Sequence, residues 1–117
     1  FVINIGINFE IIVLPNFNSN EVLRRCIIAL QNAFIITNWQ INEPIIYRDL
    51  TILLDNIEGV QTVKDILISN KTGASYSTYS YDVEGATINQ VVYPSIDPMI
   101  FEVKFPNSDI KGKIVNI

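Results

Sequence analysis

The stretch FVINIGINFEIIVLP, residues 1–15, alternates with a period of two from Ile3 to Val13. Its odd positions are Ile3, Ile5, Ile7, Phe9, Ile11 and Val13; its even ones include Asn4, Gly6, Asn8 and Glu10. Successive side chains of a strand point to opposite faces, so the pattern predicts one long strand whose odd face meets a core. Pro15, with no N–H to give a ladder, ends it. A strand this long is expected to run past its own sheet at one end. The stretch has no basic n-region and no small-residue cleavage site, so it reads as structure rather than as a signal peptide. The chain starts on Phe1, and we expect it to be an excised piece or the processed end of something longer.

Outward from that strand, Phe17-Asn18-Ser19-Asn20-Glu21-Val22 has the form of a helix start. Asn18 is the expected N-cap, Glu21 reaches back to the cap's N–H, and Phe17 and Val22 form a hydrophobic staple. The helix is predicted to run to about Phe34, with Val22, Leu23, Cys26, Ile27, Leu30, Ala33 and Phe34 on its apolar stripe. Residues 37–42 read as a connector carrying Trp39, either a plug over the helices or a ligand platform. Pro44 is placed as the first residue of a second helix reaching about Ile57, with Ile46, Leu50, Leu53, Leu54 and Ile57 inward. Gly59 supplies the left-handed residue that ends it. Residues 60–69 then form a strand with apolar residues on both faces, expected to be central or doubly covered, and Asn70-Lys71-Thr72-Gly73 a turn.

The expected fold class is therefore α+β. A β-α-α-β unit over residues 1–73 packs two helices on one face of a small, mainly antiparallel sheet. Residues 74–117 follow as an extended β-rich segment, either part of the same domain or an interface arm. Ser75 to Tyr81 alternates tyrosines with hydroxyls, and two readings are open: an exposed interface or an ordinary strand of the same sheet. Beyond it a turn at Glu84-Gly85 precedes a short strand at Val91–Tyr93, and Pro94 and Pro98 exclude helix or central strand between them. Ile100 to Phe105 and Ile110 to Val115, joined through Pro106-Asn107-Ser108-Asp109, read as a terminal hairpin.

Composition narrows the function classes. The chain has 117 residues, enough for one core, with 49% hydrophobic and 17% charged residues. An average soluble domain is roughly 25% charged. Mean hydropathy is +0.29. Such a chain has little polar surface with which to cover itself, so part of its apolar surface is expected to meet a partner. Net charge is −4, pI is about 4.6 and the eight Lys and Arg are dispersed, which disfavours direct nucleic-acid binding. Lys111 and Lys113 in one strand signal a solvated face or a blunted edge. No apolar run approaches the roughly 20 residues that span a bilayer, so no membrane partner is expected.

Chemistry is scarce. With no histidine and one cysteine, Cys26, the chain has neither an intrachain disulfide nor a Ser–His–Asp or Cys–His nucleophile. Cys26 reads as a small buried hydrophobe. The usual transition-metal sites are not expected, and no phosphate-binding or nucleophile-elbow pattern occurs. Asp82 and Glu84, with Asp97 and Asp109 nearby in sequence, are the one candidate carboxylate group for hydrolysis or calcium. Acidic chains contain such spacings by chance, so the expectation is no enzyme, no catalytic residue, no metal and no cofactor.

The segments FEIIVLPNFNSNEVLRRCIIALQNAF (9–34) and WQINEPIIYRDLTILLDNIEGVQTV (39–63) resemble the strand–helix–helix–strand unit near the C-terminus of baseplate J-like proteins. EGATINQVVYPSIDPMIFEVKFPNSDIKGKIV (84–115) is similar to the closing segment of baseplate wedge subunits of T4-like contractile-tailed phages, marine ones especially. The family's subunit is longer, with an N-terminal part to which nothing here corresponds. The resemblance implies a structural virion protein of the phage tail baseplate, assembled in the host cytoplasm. In that family the subunit dimerises and helps join six wedges into a ring around the hub. Its partners would be itself, as a dimer or higher homo-oligomer, and other baseplate subunits.

On that reading Tyr81, Tyr93, Ile96, Met99, Phe101 and Phe105, aromatic and apolar anchors on the rigid closing segment, are the expected protein-contact residues. The alternative is a small carbohydrate- or peptide-binding module whose aromatic platform is Tyr76, Tyr79, Tyr81 and Trp39. A carboxylate enzyme using Asp82 is the third reading.

Overall fold

A computed structural model of the chain describes residues 2–35, 42–95 and 98–116. The elements in order are β1 (Val2–Val13), α1 (Ser19–Ala33), β2 (Ile45–Ile46), α2 (Tyr47–Asp55), β3 (Val60–Asn70), β4 (Thr87–Ile88), β5 (Val91–Val92), β6 (Ile100–Glu102), α3 (Pro106–Asp109) and β7 (Ile110–Ile114). Together they make a small α+β domain with three helices and mixed sheets.

β1 is the axis of the larger sheet. It pairs antiparallel with β3 from Ile5↔Asn70 to Val13↔Val60. On its other side it pairs parallel with β6 over Val2–Asn4 and parallel with β7 over Ile7–Ile11. The strand therefore does not overhang its sheet: two short parallel strands, end to end, take Val2–Asn4 and Ile7–Ile11, and β3 pairs the far end to Val13. Its odd face is core as the alternation predicts, with Ile3, Ile5, Ile7, Phe9 and Ile11 at 2% exposure or less. They pack with Val22, Cys26 and Leu30 of α1 and Leu50 and Leu54 of α2. Each such side chain contributes roughly 1.5–3 kcal/mol on leaving water.

The even face departs from simple alternation. Asn4 and Gly6 are buried too, because residues 71–81 cross over them. Asn4 is 1% exposed and fully engaged. Its side chain accepts from Ser77 N at 2.6 Å and donates to Glu102 Oε1 at 2.9 Å. Its carbonyl accepts from Lys71 N and from Asn70 Nδ2.

The helix signals hold in part. Asn18 caps α1, accepting from Glu21 N at 3.1 Å. The Glu21 carboxylate pairs with Arg24 and Arg25 instead of turning back to the cap. Gly59 has φ +99°, the left-handed conformation expected of it, and Phe17 and Val22 pack against it too closely for any Cβ. Pro44 does not open α2, because Ile45 and Ile46 are drawn into β2 by Val92 and Val91. The helix starts at Tyr47, and with no side-chain cap its N–H donates to the Gln90 carbonyl at 2.9 Å.

Three further expectations are corrected. β3 is an edge strand with most of its residues exposed or half-buried, not central, because β1 alone pairs with it among the described residues. Residues 75–81 form no strand; they cover Asn4. β6 and β7 do not pair as a hairpin. Pro106 starts the single turn α3, which returns the chain in the same direction, so both strands run parallel to β1 and the larger sheet is mixed.

A second, three-stranded sheet has the order β2-β5-β4. β4 and β5 form a tight hairpin around Asn89 and Gln90, whose φ values of 52° and 64° are both left-handed. That is the turn whose twist suits a two-residue hairpin.

Candidate functional site

The six expected contact residues divide by the parallel docking of β6 on β1. Phe101 pairs with Ile3 in register and is 2% exposed; Met99 is 1% exposed. Met99 is pinned by exchange with Asn42: Met99 N donates to Asn42 Oδ1 at 2.9 Å and Asn42 N donates to the Met99 carbonyl at 2.7 Å. Both residues belong to this chain's own core. Tyr81 is half-buried, its ring 5.9 Å from that of Phe101, and its hydroxyl donates to the Tyr93 carbonyl at 2.6 Å. Tyr93 and Phe105 remain at the surface, 48% and 37% exposed. Ile96 lies outside the described residues.

The aromatic platform is likewise dispersed. Tyr79 is exposed. Tyr76 is half-buried beside Phe105, ring centroids 5.4 Å apart, and its hydroxyl donates to both carboxylate oxygens of Asp109 at 2.9 and 3.0 Å. That hydrogen bond holds the Tyr76 phenol above its ordinary pKa, with burial and the Asp109 charge acting the same way. Trp39 lies outside the described residues.

Two of the candidate carboxylates make hydrogen bonds within the fold. Asp82 accepts from Gly85 N at 2.9 Å within its own turn, and Asp109, 8% exposed, holds Tyr76. Asp97 lies outside the described residues. Among the described residues no group of three or more Cys, Asp or Glu is placed to hold a metal. Cys26 is fully buried, and loss of solvation pushes its thiol up to about 11.

Exposed apolar residues on two surfaces were not expected. In the three-stranded sheet, Ile46, Val91 and Ile88 stand in one register row. The row behind it, Ile45, Val92 and Thr87, faces inward, with Ile45 and Val92 fully buried. Ile46 is thereby left 36% and Ile88 59% exposed. Strands of two residues have no periodicity to read; Asn89, a frequent left-handed residue, is the one local signal.

The second surface is the open face of β3, β1 and β7. Leu67 stands there 57% exposed, opposite Asn8, and Asp65 stands opposite Glu10. Lys111 and Lys113 complete the rows from β7, both exposed, which is the solvated face their spacing predicts. These side chains, with Phe9 and Gly112, line a shallow hollow of about 280 Å³.

The chain matches no protein-family model, and no curated protein is significantly similar to it.

Proposed function

We propose that this chain is an assembly module of a contractile-tail phage baseplate wedge, a structural virion part whose work is subunit–subunit contact. The observation that carries the reading is apolar surface left outside the fold. Leu67, Ile88, Tyr79, Tyr93, Ile35 and Ile52 are each 44–59% exposed in a chain with 17% charged residues. In a chain so short of charge, this much exposed apolar side chain favours burial against a partner. The resemblance of residues 9–34, 39–63 and 84–115 to wedge subunits supplies the kind of assembly. On this reading β1, α1, α2 and β3 correspond to the family's strand–helix–helix–strand unit, with β2 inserted.

Sedimentation velocity at low and high salt tests it. Apolar association gives a dimer or larger species that persists when salt rises from about 0.1 to 1 M, where exposed ion pairs are screened. A species that dissociates over that range, or a monomer throughout, contradicts the proposal.

The alternative, a carbohydrate- or peptide-binding module, retains Tyr79 as the exposed member of its platform among the described residues. Saturable binding of an oligosaccharide, abolished by Tyr79→Ala, is the result that favours it.

A further inference from the structure

We propose that residues 72–80 are a strap that lifts from the larger sheet while the sheet stays folded, held shut by a latch of two strap donors on two sheet-side acceptors. The strap needs no partner, so its test is separate from that of the assembly reading.

The segment that leads from β3 to Tyr81 crosses the even face of β1 with neither helix nor strand. None of residues 72–80 belongs to the hydrophobic core or to the half-buried residues packed on it; Tyr81 is the next residue that does. Tyr76 and Ser77 are half-buried and the rest of the strap is exposed. A segment that buries so little apolar surface opens at a lower free energy than the sheet beneath it.

Among the described residues, the ties to the sheet side fall on those two neighbours. Ser77 N donates to Asn4 Oδ1 at 2.6 Å. The Tyr76 hydroxyl donates to both Asp109 oxygens, at 2.9 and 3.0 Å, and its ring stands edge-on to Phe105. Two further bonds, Tyr76 N to the Gly73 carbonyl and Tyr79 N to Ser77 Oγ, lie within the strap and move with it.

Both acceptors are held from the other side. Asn4 Nδ2 donates to Glu102 Oε1 of β6 at 2.9 Å, so the carboxamide keeps its orientation when Ser77 leaves. Asp109 N donates to the Phe105 carbonyl at 2.8 Å, which fixes the carboxylate at the end of α3. The latch therefore closes again on groups that have not moved. The flanks are fixed too: Lys71 N donates to the Asn4 carbonyl and Tyr81 N to Asn70 Oδ1. Between them Gly73, at φ +133° with nothing within 4 Å of its Cβ position, gives the strap a hinge. Lifting uncovers Asn4 Oδ1 and the Asp109 carboxylate. It thereby extends the open face of Asn8, Glu10, Lys111 and Lys113 toward the start of β1.

Amide hydrogen exchange of the whole chain, followed by NMR from zero to moderate urea, tests the strap. Ser77 N–H is expected to open at least about tenfold more often than Lys71 N–H, Tyr81 N–H and the β1–β3 ladder, with no dependence on urea. A smaller ratio, or a urea dependence equal to that of the ladder, overturns the proposal. Tyr76→Phe keeps the ring on Phe105 and removes the bond to Asp109. It is expected to raise the opening of Ser77 N–H about three- to tenfold. Unchanged opening at Ser77 would show that the two ties do not act together, and would overturn the latch.

Discussion

Phe9 and Gly112 are register partners across β1 and β7, and the Phe9 ring lies over Gly112 where a side chain would otherwise stand. A Cβ on Gly112 would overlap that ring and come within 2.6 Å of Leu23 Cδ1 on α1. The absent side chain is what lets the aromatic core residue reach β7 and lets α1 settle on it. Gly112→Val is expected to lower stability by about 1–3 kcal/mol, the usual cost of overpacking. A urea titration would show a lower midpoint with an unchanged slope. An unchanged midpoint would mean that β7 does not lie against Phe9.

Asn4 ties three segments at one buried point: β1, β6 through Glu102 and residues 71–81 through Ser77. Asn4→Leu leaves the Ser77 N–H unanswered and is expected to cost about 1–3 kcal/mol. Amide exchange at Ser77 should rise ahead of exchange along β1. Equal protection at Ser77 in the variant would show that something else holds the crossing segment.

Tyr76 predicts a dependence on alkaline pH. Its phenol is raised above the ordinary tyrosine value, first by the hydrogen bond to Asp109. The folded state thus prefers the neutral phenol more than the unfolded state does. The stability this contributes is fully present below about pH 10, the unfolded value, and is lost as pH rises through the folded one. Tyr76→Phe should remove that component, so its unfolding midpoint falls less steeply above about pH 10 than the wild type's. Parallel curves would contradict the bond.

The β4–β5 turn carries two left-handed residues, of which Gln90 has the side chain less suited to it. Gln90→Gly keeps the carbonyl that receives Tyr47 N and relieves a strain of about 1 kcal/mol. Thermal unfolding should move upward by a few degrees. A fall in the midpoint would mean that the Gln90 side chain contributes more than its backbone costs.

What the sequence disclosed follows from the range of each interaction. The odd face of β1, the Asn18 cap, the left-handed Gly59 and the solvated Lys111 and Lys113 all depend on neighbours within a turn or a pleat. The parallel docking of β6 and β7 does not: alternation in Ile100–Glu102 says which face is apolar, not which strand it joins. Met99 and Phe101 show their anchoring character in the sequence but not their place beside β1. Asn4 was read as a polar outward residue, since nothing local reveals that residues 71–81 cross it. Leu67 was hidden by the opposite error, in which apolar residues on both faces of β3 suggested cover on both.

Contact with other subunits, itself among them, is the work we propose for this chain. Its most direct test is absolute mass by light scattering after size exclusion, over about a hundredfold range of concentration. The expected mass reaches twice that of the chain or more and falls toward the monomer on dilution. A single monomeric mass at every concentration would contradict it.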